Sequence, residues 1–379
     1  MSDPTAELAV WAEVDLGKVR RNVERLRALL RPETQLLAVV KADGYGHGAV
    51  PCARAALAGG ATMLGVARVH EGAALRESGI DAPILLLAEQ PDRAVPHAVA
   101  LGLIHTIYTR QGLDCVAGAA QAANTTASVH LKVDTGMHRY GATPHDIPAL
   151  VEAAKATQGI DLKGLWSHFA VAEDVLNPYT KQQFEVFCDV LDALGPSATG
   201  GLTRHLANSA GLMTFPEAHF DLVRTGIAVY GIHPSQELAD RVQLEPAMAF
   251  KSRVGLTKRL GAGESVSYGQ RYVMPAEGLV ASIPAGYADG VRRGLTNAGE
   301  VLIRGHRYRI SGTVTMDHVM VDAGHAELEA GDEVVLLGRQ GDQEVTAHDV
   351  ARTLGTIPYE VVCGISARVP RVYVGDPSL

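Results

Sequence analysis

Lys41 stands at the end of an apolar run, Leu36 to Val40, and is followed at once by Ala42-Asp-Gly-Tyr-Gly-His-Gly48. A lysine at the mouth of a buried strand is partly desolvated, which lowers its pKa and suits it to imine chemistry or to general-base work. By position alone the ordinary reading, a strand-capping lysine that reaches solvent, is the stronger one. Other reactive side chains recur at corresponding points downstream: Arg139, His168, Asn208 with Ser209, and Arg224 each follow or close a later apolar run. Ser209 and the glycine of Arg224-Thr-Gly-Ile227 stand where barrel enzymes receive a ligand phosphate on backbone N–H groups. Singly, His168 reads as a core histidine and Ser209 as a helix N-cap. Together they point to an enzyme that holds a phosphorylated ligand beside a lysine.

These residues need a scaffold that brings strand ends together. Short Val-, Ile- and Leu-rich runs alternate with Ala-rich segments of helical period from residue 35 onward, the pattern of parallel strands joined by crossover helices. The strand-like runs are Leu36–Val40, Met63–Val66, Ile84–Leu87, Ile104–Tyr108, Val129–Val133, Gly164–His168, Thr203–Leu206 and Phe220–Arg224. Helical segments are expected at Leu16–Leu30, Ala49–Ala58, Val69–Ser78, Gln111–Ala122, Ile147–Ala156 and Tyr179–Leu194. Eight such units predict a closed (β/α)8 TIM-type barrel over residues 1–240. An open doubly wound sheet is the alternative, but the glycines after Lys41 have the wrong spacing for a dinucleotide loop. Beyond Tyr230 the Ala-rich pattern stops. Short strands between glycines, such as Lys251–Leu256, Val301–Ile303, Tyr308–Met316 and Glu333–Leu337, with one late helix at His348–Thr353, predict a mostly β domain over residues 241–379. The strand-like Val10–Val14 allows residues 1–15 to pack with that domain instead of the barrel.

The chain has 379 residues, with 34 Lys plus Arg against 42 Asp plus Glu, a net charge of −8. That balance offers no electrostatic footprint for nucleic acid. No apolar stretch is long enough to span a membrane. The first eight residues carry Asp3 and Glu7 instead of a basic and then an apolar segment, so no secretory signal is read and a cytoplasmic location is expected. Cys52, Cys115, Cys188 and Cys363 lie far apart, which predicts reduced, mostly buried thiols and no metal knuckle.

Val39-Val-Lys-Ala-Asp-Gly-Tyr-Gly-His-Gly48 resembles the cofactor-lysine signature of the alanine racemases, pyridoxal-phosphate enzymes built from a barrel and a β domain. The similarity continues in order through His130-Leu-Lys-Val-Asp-Thr-Gly-Met137, Trp166-Ser-His-Phe169, Asn208-Ser209, Arg224-Thr-Gly-Ile227, Val266-Ser-Tyr-Gly269, Gly286-Tyr-Ala-Asp-Gly290, Thr315-Met-Asp317 and Ile357-Pro-Tyr-Glu360. The resemblance implies that Lys41 carries pyridoxal 5'-phosphate and then serves as base on one face of the substrate α-carbon. Tyr268 would serve the other face, since inversion needs groups on opposite sides. A tyrosine titrates at about 10 when unperturbed, so its neighbourhood must lower that value. In this family the tyrosine comes from the second subunit, which implies a homodimer with shared sites.

By the same resemblance Arg224 faces the pyridine nitrogen. A guanidinium has no acceptor and stays charged, so it cannot leave that nitrogen a full proton, and the electron sink is weakened. His168 would orient Arg224, and Tyr45, Ser209 beside Asn208, the backbone of Gly226 and Ile227, and Tyr359 would receive the phosphate. Arg139 and the backbone N–H of Met316 from the other subunit would meet the substrate carboxylate. Lys132 matches a lysine that some members carry carbamylated. The implied reaction interconverts L-alanine and D-alanine, the latter for peptidoglycan. Two positions depart from the family pattern: His138 stands where glycine is common, and Thr315 where some members have cysteine. A serine or broad-specificity racemase remains an alternative, because one hydroxyl shifts a small pocket's preference by only ~1 to 3 kcal/mol. A decarboxylase is disfavoured by Arg224, and a non-catalytic pyridoxal-phosphate carrier by the long second domain with Tyr268, Met316 and Tyr359.

Overall fold

The computed structural model describes residues 5–375, and the chain divides into two compact units. One gathers residues 5–18, the short segment Tyr45–Gly48 and residues 246–375; the other takes residues 19–44 and 49–245. The division therefore falls at Pro246 instead of 241. Residues just before it are tied to the barrel: the Glu245 carboxylate pairs with Arg21 at 2.7 Å, and its backbone N–H and C=O bond the Asn22 side chain at 2.8 and 2.9 Å.

The first strand, β1 (Val10–Asp15), lies in the β unit, antiparallel to Met248–Arg253 and parallel to Arg371–Val374. The other unit is built from β2 (Gln35–Val39), β3 (Met63–Val66), β4 (Ile84–Leu86), β5 (His105–Ile107), β6 (Ala127–Lys132), β7 (Ile160–Trp166), β8 (Thr203–His205) and β9 (Leu222–Thr225). They pair in parallel in the orders β4-β3-β2-β9 and β5-β6-β7-β8. A parallel bridge between Leu85 and Ile104 joins the two sets on one side. Backbone bonds from Asp221 to Arg204 and from Arg224 to Ala207, both 3.1 Å, join them on the other, which closes the barrel. Strands covered on both faces read as continuous apolar runs, and in β2 Leu36, Leu37, Ala38 and Val39 are all buried. The register of β2 with β9 sets Leu37 beside Arg224 and Ala38 beside Thr225, so Lys41 and Gly226 leave the barrel at one rim.

The β unit holds a seven-stranded sheet and a three-stranded one made of Leu256–Leu260, Gly278–Ile283 and Val319–Gly324. Four sequence expectations differ from the structure of this unit and of the cysteines. Lys251–Leu256 is not one strand but the end of Met248–Arg253 and the start of Leu256–Leu260. Tyr308–Met316 keeps its strand only to Arg309, because Gly312 turns at φ +90° with a Cβ position 2.6 Å from the Val266 carbonyl. A second late helix, Pro358–Cys363, opens on a proline that presets its first turn and carries Tyr359. The cysteines are free, but only Cys52 is buried; Cys115 and Cys188 are half-buried and Cys363 is exposed, so "mostly buried" does not hold. Among the described residues no helix is long and apolar enough to cross a membrane, and no group of three His, Cys, Asp or Glu could hold a metal.

Candidate active site

Lys41 begins a left-handed turn: φ is +52° at Ala42, +51° at Asp43, +60° at Gly44 and +53° at Tyr45. Left-handed backbone costs an L-residue about 1–2 kcal/mol, so the turn must be held from outside. The Ala42 N–H donates to Glu71 Oε1 at 2.7 Å, and the Ala49 N–H donates to Asp43 Oδ1 at 2.8 Å. Behind it, the buried Tyr230 hydroxyl donates to the Val39 carbonyl at 3.0 Å. Glycine eases the turn at 44, where a Cβ would meet the Ala49 backbone at 3.3 Å in addition to the strain of the left-handed conformation.

Arg224, at the rim end of β9, is 3% exposed and laid over the Trp166 ring at 4.5 Å. Its Nη2 donates to the carbonyls of Ser167 and Leu206 at 2.8 and 3.1 Å and lies 3.0 Å from His168 Nδ1. Its Nη1 lies 3.0 Å from His205 Nδ1, and His205 Nε2 lies 2.8 Å from His130 Nδ1. Burial lowers the guanidinium to about 9, still protonated at neutral pH. Burial and then the Arg224 charge hold His168 and His205 well below the usual imidazole range. Both are neutral acceptors. Among the described residues Arg224 Nε makes no hydrogen bond, so one N–H of a fully buried cation is left for a ligand. His168 lies two residues past the end of β7 instead of inside the strand.

Lys132 closes β6, buried at 3% exposure with Nζ 4.6 Å from the Trp166 ring centroid. Burial, then Arg139, Arg224 and Lys41, lower its pKa to about 7, with Asp134 opposing. Arg139 is exposed and has no acidic partner among the described residues. The loop that carries it turns on Asp134, whose Oδ1 accepts the N–H groups of Gly136 and His138, both at 3.0 Å. His138 is left-handed at φ +52°, the conformation that suits glycine, and its ring offsets this by reaching Asp134 Oδ2 at 3.3 Å.

At the end of β8, Asn208 and not Ser209 caps the helix Ser209–Thr214, accepting the Gly211 N–H at 2.9 Å. This frees the buried Ser209 hydroxyl, which accepts the Gly226 N–H at 2.9 Å. Ile227, which opens the short helix Ile227–Tyr230, finds no acceptor for its N–H among the described residues.

In the β unit, Tyr45 and Tyr359 face each other with ring centroids 6.2 Å apart, and burial, then Tyr359 and Cys363, push the Tyr45 hydroxyl pKa upward. Tyr268 starts a short turn and is 76% exposed. Met316 is exposed too, and its N–H has no acceptor among the described residues. Its carbonyl packs so closely on Gly286 that a Cβ there would lie 2.2 Å away.

The barrel cluster thus joins Lys41, Lys132, Arg139, His168 and Arg224 electrostatically and Ser209 with Gly226 by a hydrogen bond. Reading the residues missed Glu71 and His205. Glu71 sits at the third position of the helix Val69–Glu77, where an acidic residue normally serves only the helix start. His205 stands in Thr203-Arg-His-Leu206, where nothing sets it apart from its polar neighbours. In comparisons with known proteins, the N-terminal domain of alanine racemase matches residues 14–234 and the C-terminal domain matches residues 247–373. This chain belongs to the alanine racemase family.

An alanine racemase of Desulforamulus reducens is 44% identical over 369 residues, 97% of this chain and 99% of the relative. One from Symbiobacterium thermophilum is 45% identical, covering 97% of each chain. The crystal structure of alanine racemase from D-cycloserine producing Streptomyces lavendulae superposes with a TM-score of 0.93 at 44% identity, covering 98% of both chains. Alanine racemases use pyridoxal phosphate, and this chain's donor set fits that group. Among the described residues the barrel offers a lysine at the rim, a buried guanidinium with one unbonded N–H, and a serine hydroxyl with the Ile227 N–H at a second strand end. Arg139 adds an exposed cation with no acidic partner among the described residues.

Proposed function

We propose that this chain is a pyridoxal-phosphate-dependent racemase that interconverts L-alanine and D-alanine. The observation that carries the reading is identity of 44–45% over 97% of the chain to proteins named alanine racemase. When bound, pyridoxal phosphate supplies the electron sink that acidifies the α-hydrogen of an amino acid. Lys41 would hold the cofactor and, once released, move a proton at one face of the α-carbon. The Tyr268 hydroxyl would move it at the other. Arg224 would present its Nε–H to the pyridine nitrogen, held by His168. Tyr45, Ser209 beside Asn208, the backbone of Gly226 and Ile227, and Tyr359 would take the phosphate. Arg139, and the Met316 N–H of a second copy of the chain, would orient the substrate carboxylate.

Lys132, with its pKa at about 7, has an appreciable neutral fraction at physiological pH and is open to attack on carbon dioxide. We place a carbamate there, which would turn a buried cation beside Arg139 into its anionic partner. Intact-protein mass measured with and without bicarbonate tests it through the added mass of one carbon dioxide.

A base opposite Lys41 is required, and the 76% exposure of Tyr268 supports its service to a second copy of the chain in a head-to-tail dimer. Mixing Lys41→Ala with Tyr268→Phe chains tests this: a mixed dimer pairs both defects in one site and leaves the other whole, so activity returns on mixing. Four free cysteines and the lack of a membrane-spanning helix among the described residues support a cytoplasmic location. The first assay is loss of optical rotation by L-alanine, with L-serine and L-lysine in parallel. Alanine should racemise fastest. Faster serine turnover would keep the mechanism and overturn the substrate, and no turnover with bound cofactor would overturn the enzyme reading.

A further inference from the structure

Arg224 Nη1 lies 3.0 Å from His205 Nδ1, and His205 Nε2 lies 2.8 Å from His130 Nδ1. The direction of this chain is forced. A guanidinium has donors only, so His205 Nδ1 must be the lone-pair nitrogen. A neutral His205 then carries its proton on Nε2 and donates it to His130 Nδ1, which leaves the His130 proton on Nε2. Neither ring can take a second proton without setting donor against donor. Both are shut away, His205 at 0% and His130 at 2% exposure, and His205 is stacked on Trp166 at 5.4 Å. The contact needs a bare backbone beside it: a Cβ at Gly164 would lie 2.5 Å from His130 Nδ1.

We propose that His130 is a positioning residue for Arg224: by accepting the Nε2–H of His205 it fixes the one tautomer that can receive the guanidinium, and Gly164 supplies the room. Arg224 is then held wholly by neutral acceptors, His205, His168 and the carbonyls of Ser167 and Leu206. Among the described residues no carboxylate pairs with it, so that charge stays directed through the unbonded Nε–H. The inference deepens the proposed function and rests on it for the cofactor readout alone.

The test takes the full-length chain reconstituted with pyridoxal phosphate, isotope-labelled at histidine nitrogens. In the wild type, nitrogen NMR should place the proton on Nε2 of both His205 and His130. His130→Leu removes the acceptor, so His205 should shift toward the Nδ1–H tautomer and the cofactor dissociation constant should rise roughly tenfold. His130→Gln restores an amide oxygen and should hold both readouts within about twofold of wild type. A proton on His205 Nδ1 in the wild type overturns the proposal. Equal loss of cofactor affinity in His130→Leu and His130→Gln, with the tautomer unmoved, does so as well. If His130→Leu does not fold, the wild-type tautomer and the Gln variant still decide. A chain that takes up no pyridoxal phosphate sinks the functional reading instead, and the tautomer measured without the cofactor then judges His130 alone.

Discussion

Glu71 Oε1 receives the Ala42 N–H, the first donor after Lys41, at 2.7 Å. Its other oxygen receives the N–H groups of Ala67 at 2.7 Å and Arg68 at 2.9 Å. One carboxylate therefore fastens the turn after β2 to the turn after β3. Because Ala42, Asp43 and Tyr45 are all left-handed, the turn that presents Lys41 persists only while such ties outweigh its strain.

Glu71→Ala removes the two oxygens that accept three N–H groups and should lower stability by about 2–3 kcal/mol, with a larger loss in pyridoxal-phosphate affinity than in fold. Glu71→Gln should fall between, since a carboxamide accepts through one oxygen only. Urea unfolding and cofactor titration check this together. Unchanged cofactor affinity in the Ala variant would refute the positioning of Lys41 by Glu71.

The pKa of about 7 at Lys132 makes stability depend on pH. An unfolded lysine titrates at about 10.4, so between these values the unfolded chain binds a proton here that the folded chain does not. The folded state therefore gains stability as pH rises across that window, and below it the full cost of a buried cation among Arg139, Arg224 and Lys41 is felt. Lys132→Met keeps the length and removes the charge. Its urea-unfolding free energy should rise less steeply from pH 7 to 10 than the wild type's, a comparison made in carbon-dioxide-free buffer so that no carbamate intervenes. Parallel slopes would contradict it.

At His138 two effects oppose. The left-handed φ of +52° favours glycine, and the contact from the ring to Asp134 Oδ2 favours histidine. His138→Gly loses the contact and the strain together and should stay within about 0.5 kcal/mol of wild type. His138→Ala keeps the strain and loses the contact, so it should be the less stable variant by about 1 kcal/mol. Thermal unfolding of the pair settles the order.

What could be read in advance follows from how local each signal is. Met63–Val66 and the helices Ala49–Ala58 and Ile147–Ala156 have the bounds expected of them, because a buried strand and an Ala-rich helix are written in consecutive residues. His306–Arg309 lost the rest of its expected strand because Gly312 answers to Val266, a neighbour far away in sequence. The same distinction runs through the candidate site. Lys41, Arg224 and Ser209 announce themselves at strand ends, whereas His130 meets His205 across 75 positions and Glu71 meets Ala42 across 29. A carboxylate at the third position of a helix gives no sign that half of it serves another loop.

Asp289 offers a last test, in the β unit. It is 1% exposed; its Oδ2 accepts the Gly286 N–H at 2.8 Å and its Oδ1 accepts Arg368 Nε at 2.6 Å. Arg368 also reaches Asp317 Oδ1 at 2.7 Å. The segment held this way grips the Met316 strip, since the N–H groups of Tyr287 and Ala288 donate to the carbonyls of Thr315 and Met316 at 2.9 and 3.0 Å. Asp289 thus fixes, through Gly286, the backbone whose Met316 N–H is assigned to the substrate carboxylate. Asp289→Ala leaves the Gly286 N–H unmet and Arg368 with one partner; because Arg368 is half exposed, the stability loss should be about 2–3 kcal/mol. The sharper readout is kinetic. If Met316 binds the carboxylate in ground and transition states alike, KM for L-alanine should rise several-fold with kcat little changed. A variant that loses stability but keeps its KM would leave Asp289 a structural residue only and remove the support for Met316 as a substrate contact.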